Sequence, residues 1–363
     1  MAPDTSLRRS AEHDEEHSLP YEVIVGTGGV GSGIFMRLLG DELLGREESR
    51  PVTLLNARDY CKLHIVFHYV QLLVGETVRV IPVGKVGEDA AGIQLIDEMR
   101  AIGLDLGHVT AVPARDTLYS VSFSYPDGAG GNLTTSESAS NEVRPEDVRA
   151  TEPELAHGFR RGMVVALPEV PLETRIELLR MGSENGSLRV ATFVSSEAAA
   201  VSTSDVLKDV DLLVLNADEA AAFTGAGWGE NVEADAQRSI DRLLTLNERL
   251  SIVITAGARG SWSWDGETTA HAPAIPAHVQ STAGAGDSHL AGIICGIASG
   301  IGLHEANRFA SLISSMKVAS PHSISPDIDW ASLRKKAAEI GFLLPTGIGP
   351  AGDGDRCQAA GGR

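Results

Sequence analysis

The residues with the clearest chemical potential lie in the stretch STAGAGDSHLAGIICGIASG, residues 281–300. Ala283, Gly284, Ala285 and Gly286 are four small residues in succession, so the backbone there can approach a ligand with no side chain in between. From Ala285 onward, Leu290, Ile293, Ile294 and Ile297 recur at helical spacing, which predicts a helix starting at this point. The unpaired N–H groups of a helix start, with a macrodipole equivalent to about half a positive charge, make an anion site. Asp287 falls in the first turn, beside the anion. A carboxylate there would repel a phosphate, unless its task is to take a proton from a hydroxyl that attacks that phosphate. Phosphoryl transfer asks for in-line positioning, charge neutralisation and a base or orienting group for the nucleophile. A Gly-rich helix start beside an Asp supplies two of these. A first-turn acid that merely complements the helix dipole is the plain alternative, and on this stretch alone the two readings stand level.

The elements that must position this motif are legible as short β-branched runs alternating with longer helical patterns. The runs are YEVIVG (21–26), VTLL (52–55), VRVIPV (78–83), MVVAL (163–167), LRVATFV (188–194), LLVL (212–215) and SIVI (251–254). Near-continuous apolar runs suit strands covered on both faces, so they predict a parallel sheet sandwiched by helices. TLYSVSFSYPDGAGG (117–131) differs: it alternates with period two and ends in a Pro-Asp-Gly turn, the pattern of a hairpin with one wet face. It is expected to belong to a small β-sheet outside the main core that can close over a cleft. Residues 1–19 are polar and charged and residues 345–363 rich in Gly, Pro and Ala, so both ends read as disordered tails around a domain at 20–344. No internal repeat is visible.

Four stretches in order resemble the ribokinase-like (PfkB) carbohydrate kinases. The most specific is Ser281-Thr282-Ala283-Gly284-Ala285-Gly286-Asp287, followed by Ala291-Gly292-Ile293-Ile294. The others are GKVGEDAAG (84–92), Asn216-Ala217-Asp218-Glu219 after LLVL, and Thr255-Ala256-Gly257-Ala258-Arg259-Gly260 after SIVI. The resemblance implies a three-layer α/β/α fold with a central, mostly parallel sheet and a small β-sheet lid drawn from segments near 31–58 and 112–140. It further implies an ATP-dependent phosphotransferase acting on a hydroxyl of a sugar, sugar acid or nucleoside. Asp287 would be the base, and the amides of Gly284, Ala285 and Gly286 the anion hole. Asn216 and Glu219 would hold Mg²⁺ and the phosphates partly through water. Thr255, Gly257 and Gly260 would line the nucleotide, with Ser311 near the adenosine. In the family such lids often pair between subunits, so a homodimer through the lid is compatible with the resemblance.

The acceptor side departs from the family. Where many sugar kinases carry an Asp past the first strand, this chain has Gly31, and the usual Gly-Gly-Lys-Gly-Ala-Asn stretch is replaced by RDYCKLH (58–64). Asp59, Lys62 or His64 is expected to replace the lost substrate contacts; alternatively these residues only cap and pack a helix. Ser281 stands where the family more often has Asp and His322 where Gly is common, so a monovalent-cation site of the kind some members build is not implied. Cys61, His64 and His68 have the spacing of half a zinc site without a second pair of ligands, and a packed helix is the stronger reading. Gly26-Thr27-Gly28-Gly29-Val30-Gly31 matches G-x-G-x-x-G, a dinucleotide fingerprint, but Asp41 and Glu42 come too early for its ribose acid. An NAD(P)-binding oxidoreductase is therefore a remote alternative, and a catalytically silent metabolite-binding family member a nearer one.

Composition sets outer bounds. The 363 residues are 43% hydrophobic, enough for one large α/β core. The net charge of -19 argues against nucleic acid, whose phosphates need clustered Lys and Arg, and solubility is the preferred reading of the acidity. Three scattered cysteines give no disulfide framework, the N-terminus has no apolar signal core, and no run approaches a membrane span. A cytoplasmic protein is expected.

Overall fold

The computed structural model describes residues 20–126, 130–156 and 161–349. The expected tails lie outside these residues except for 345–349, as do Asp127 and Gly128 of the expected hairpin turn. The strands, in chain order, are β1 Tyr21–Thr27, β2 Gly31–Leu38, β3 Val52–Tyr60, β4 Arg79–Gly87, β5 Val109–Val112, β6 Leu118–Ser124 and β7 Gly130–Thr134. They continue as β8 Arg161–Ala166, β9 Leu188–Ala191, β10 Leu212–Asn216, β11 Ser251–Thr255, β12 Ser261–Trp264 and β13 Thr269–Ala272. The helices are α1 Lys62–Val74, α2 Ala90–Ala101, α3 Pro145–Arg149, α4 Glu152–Ala156, α5 Leu172–Glu184 and α6 Ala198–Thr203. After these come α7 Ala217–Thr224, α8 Val232–Leu244, α9 Ala285–Ala298, α10 Leu303–Val318 and α11 Trp330–Ile340.

Among the described residues the main sheet has nine strands in the order β13-β12-β11-β10-β9-β8-β1-β4-β5. It is parallel from β5 to β11 and closes with two antiparallel edge strands. The apolar runs are continuous because successive side chains enter different cores. Leu212 and Val214 pack with α1, α9 and α10, whereas Leu213 and Leu215 pack with α5, α7 and α8. Ile24 likewise joins the first core while Val23 and Val25 join a third, beside α3 and α5. The three-layer α/β/α arrangement expected from the sequence is present.

A second, four-stranded sheet has the order β3-β2-β6-β7. The run at 52–55 belongs here, in β3, and not to the main sheet: Val52 is 42% and Leu54 63% exposed. Four apolar residues cannot by themselves tell a doubly covered strand from an edge strand; the partner β2 decided it. The alternation at 117–131 holds as β6 and β7, paired antiparallel. The run at 188–194 is a strand only to Ala191. Among G-x-G-x-x-G residues, Gly31 opens β2, so a strand stands where a dinucleotide fold needs a helix start.

On the inner face of this sheet, Asp59 Oδ2 accepts from Ser120 Oγ at 2.9 Å and Ser122 Oγ at 2.8 Å, while Oδ1 accepts from the Tyr60 N–H at 3.0 Å. The carboxylate reaches from β3 to β6 across β2 at Gly33, where a Cβ would collide with Ser120. The opposite face carries Ile34, Met36, Leu54, Val121, Phe123 and Leu133 in register, and Leu133 is 65% exposed.

Candidate active site

Strands β1, β8, β10 and β11 deliver their C-terminal ends to one edge of the main sheet, and α9 begins opposite them. Gly284 is the N-cap of α9 with φ 75°, a left-handed turn that any other residue enters at a cost. Space demands glycine as well, because a Cβ here would lie 2.7 Å from the Ser323 carbonyl oxygen. Of the three amides expected to bind an anion, that of Ala285 donates to the Thr282 carbonyl at 3.1 Å. Among the described residues the N–H groups of Gly284, Gly286 and Asp287 have no protein acceptor. A Cβ on Gly286 would meet nothing within 4 Å, so the helix mouth is open there. The arrangement is an exposed set of donors at a positive helix end.

Asp287 sits at this mouth, and its Oδ1 is 3.5 Å from Lys62 Nζ, although the two are 225 residues apart in sequence. Lys62 is the first residue of α1, directly after β3. Its backbone N–H donates to Glu169 Oε2 at 2.9 Å. Glu169 follows β8 and has φ 73°, a left-handed conformation rare for a non-glycine residue. Burial pushes the Glu169 carboxyl up to about 7, against the pull of the Lys62 charge. Asp287 raises the pKa of the Lys62 ammonium, with smaller contributions from Glu169 and Glu219 and against the effect of burial. Among the described residues Asp287 is the one carboxylate within ion-pair distance of the Lys62 ammonium, and Glu169 and Glu219 act on its charge from farther away.

Asn216 and Glu219 cap α7 reciprocally. The Asn216 N–H donates to Glu219 Oε2 and the Glu219 N–H to Asn216 Oδ1, both at 2.8 Å. Burial raises the pKa of the Glu219 carboxyl, against the Asn216 N–H and the Lys62 charge, which lower it. With Oε2 committed to the cap, one carboxylate oxygen remains for the water shell of an ion. That donor set fits a Mg²⁺ held chiefly by water and phosphate.

Thr255 lies beside Asn216 across the strand ends of β10 and β11. Gly257 is exposed with φ 56°, whereas Gly260 is buried against the Ala272 carbonyl. The Ser311 hydroxyl is buried and donates to the Asn307 carbonyl of its own helix at 3.2 Å, which accounts for it as packing. Its neighbour Asn307 accepts through Oδ1 from Ser261 Oγ and faces His289 Nε2, both at 2.8 Å, and leaves its buried Nδ2 without a partner among the described residues.

On the acceptor side the expected residues separate. Only Lys62 enters the cluster. The three hydrogen bonds of Asp59 are spent within the small sheet. His64 is buried in α1 edge-on to Tyr60, its ring centroid 4.7 Å away, and burial lowers its pKa to about 3. The space beside Gly31 is filled: a Cβ there would be 2.7 Å from Leu118 Cβ and 2.8 Å from Cys61 Sγ. Cys61 is buried with its thiol pushed up by burial, and no group of three ligating side chains occurs among the described residues. In the segment at 84–92, Lys85 pairs with Asp147 at 2.6 Å, and Asp89 accepts from the Thr117 N–H and Oγ1 at 2.8 and 2.7 Å. Sequence reasoning passed over Glu169. Its signal was its place just past a doubly covered strand, where open α/β sheets bind ligands.

A family model described as pfkB family carbohydrate kinase matches residues 66–330. The ribokinase of Schizosaccharomyces pombe is 26% identical over 247 residues, 66% of this chain and 74% of that protein. The bifunctional ribokinase/ribose-5-phosphate isomerase A of Fructilactobacillus sanfranciscensis is 25% identical over 238 residues, 64% of this chain but 42% of that protein's length. The crystal structure of ribokinase from Cryptococcus neoformans in complex with ADP superposes with a TM-score of 0.72 at 18% identity, covering 87% of this chain and 99% of that one. It shares the fold.

Proposed function

We propose, because this chain belongs to the pfkB family of carbohydrate kinases, that it transfers the terminal phosphoryl group of ATP to a hydroxyl of a sugar, sugar acid or nucleoside. The observation that carries this reading is the Asp287 carboxylate at an open helix mouth with free N–H donors, paired with a lysine from the far side of the cleft. Asp287 accepts the proton of the acceptor hydroxyl as its oxygen bonds to the terminal phosphorus and the bond to the leaving ADP breaks. The Gly284 and Gly286 N–H groups donate to the phosphoryl oxygens on which charge builds up. Lys62, within reach of Asp287, offsets charge at the point of transfer. Glu169, fixed by the Lys62 N–H, stands beside the acceptor hydroxyl. Mg²⁺, when bound, adds positive charge beside the phosphates, with Asn216 and Glu219 as its water-mediated holders. The small sheet covers the acceptor and limits wasteful hydrolysis.

The test is Asp287→Asn assayed against pentoses, hexoses, sugar acids and nucleosides. Turnover should fall by about 10³-fold or more with folding intact, as expected when the base of a proton transfer is lost. Activity within tenfold of wild type refutes the assignment of the base. The filled space at Gly31 and the buried His64 favour one second reading, a family member that binds a metabolite without turning it over. Saturable acceptor binding with no ATP turnover anywhere on the panel would establish it. The apolar outer face of the small sheet is where a second copy of the chain packs in this proposal.

A further inference from the structure

Lys317, in the last turn of α10, is 0% exposed, yet among the described residues no carboxylate stands within ion-pair distance of it. Its Nζ donates to the Ser281 carbonyl oxygen at 3.1 Å. A buried ammonium with so few partners is expensive, and an apolar side chain of the same length would pack there at lower cost. The charge therefore needs a reason beyond packing.

Its location supplies one. Ser281 opens the short strap, residues 281–284, that ends in the left-handed turn at Gly284 and presents the free amides of α9. The same end of α10 also grips the start of this strap and the residue before it, since the Ser281 and Gln280 N–H groups both donate to the Val318 carbonyl, at 3.3 and 2.7 Å. The surroundings are negative: the carbonyl end of a helix, the Ser281 oxygen, and the Asp59 and Asp287 carboxylates, both of which act on Lys317. Burial brings Lys317 down to about 8 and these two acids resist it, which leaves the ammonium charged near neutrality. A free monovalent cation does not fit here. Lys317 already occupies the Ser281 carbonyl, and His322 Nδ1 accepts from the Arg58 N–H at 3.1 Å.

We propose that the Lys317 ammonium is a tethered cation and a positioning residue, holding the 281–284 strap so that the α9 amides meet the nucleotide phosphates without any bound monovalent ion. The inference rests on the kinase reading and adds a property of its own, indifference to the monovalent cation supplied.

The experiment measures Mg·ADP affinity by calorimetry, and turnover where an acceptor is found, with Na⁺, K⁺ or tetramethylammonium as the sole monovalent cation. Wild type should vary by less than about twofold across the three salts. Lys317→Met, which keeps the length and removes the charge, should denature at the same or a higher midpoint and yet bind Mg·ADP about tenfold more weakly in every salt. Lys317→Ala, which leaves room for an ion, should lose as much affinity and regain most of it in K⁺ or ammonium but not in tetramethylammonium. Strong K⁺ activation of wild type, or wild-type affinity in Lys317→Met, overturns the proposal while leaving the kinase reading intact. A wild-type protein that binds no Mg·ADP in any salt refutes both.

Discussion

Replacing Gly284 and Gly286 by alanine, one at a time, separates the shape of the anion site from its occupancy. At Gly284 an alanine must adopt φ near 75°, which costs about 1–2 kcal/mol for a residue with a Cβ. The new methyl also starts 2.7 Å from the Ser323 oxygen and 3.2 Å from its Cα, well inside ordinary contact. Ser323 cannot yield freely, because its N–H donates to the Arg58 carbonyl at 3.3 Å and its Oγ accepts from the Tyr60 N–H at 2.9 Å. Overpacking of this kind adds about 1–3 kcal/mol, so Gly284→Ala should lose roughly 2–5 kcal/mol of a total near 5–15 kcal/mol. Gly286→Ala meets no atom within 4 Å and sits in a helix, where alanine is favoured by up to about 1 kcal/mol. In the proposed mechanism its methyl would crowd the phosphoryl group away from the amides of the helix start, and disabling one such donor costs about 10²–10³ in rate. Denaturant unfolding, Mg·ADP calorimetry and initial rates on the purified variants measure both effects. Equal stability losses in the two variants, or full activity in Gly286→Ala, would refute this account of the helix mouth.

Three further outcomes are expected. Because burial holds Glu169 up at about 7, above the ordinary 4.5, the folded protein keeps a proton that the unfolded chain releases between those values, so stability falls as pH rises through that window. Glu169→Gln removes this loss and should be more stable than wild type at pH 8 by ~1–3 kcal/mol; an unchanged stability–pH slope in denaturant melts would contradict it. Asp59→Ala breaks two hydrogen bonds between β3 and β6 and one to the Tyr60 N–H of its own strand, and should cost about 2 kcal/mol and speed amide exchange in β3 and β6, whereas unaltered exchange with a raised acceptor KM alone would return Asp59 to the substrate. If the outer face of the small sheet joins two copies, Leu133→Glu should sediment as a monomer where wild type is a dimer, and a monomeric wild type at micromolar concentration would end that reading.

The sequence by itself settled whatever local patterning controls. Four small residues ahead of Leu290, Ile293, Ile294 and Ile297 were enough to place a helix start and its acid. The apolar runs marked strands, and all but the one at 52–55 lie in the main sheet. What tertiary structure decided are the relations no spacing encodes. Lys62 meets Asp287 because β3 and α1 fold across the mouth of α9, and Glu169 reaches the same cleft only through the turn after β8. The run at 52–55 has the composition of a core strand, yet its partner β2 left it on an exposed sheet. Asp59 and His64 lie within three residues of Lys62, but the pairing of β3 and the inward face of α1 sent one to a strand-crossing staple and the other to the core. Side-chain destinations depend on which surfaces meet, and for residues this close in sequence only the packed chain sets that.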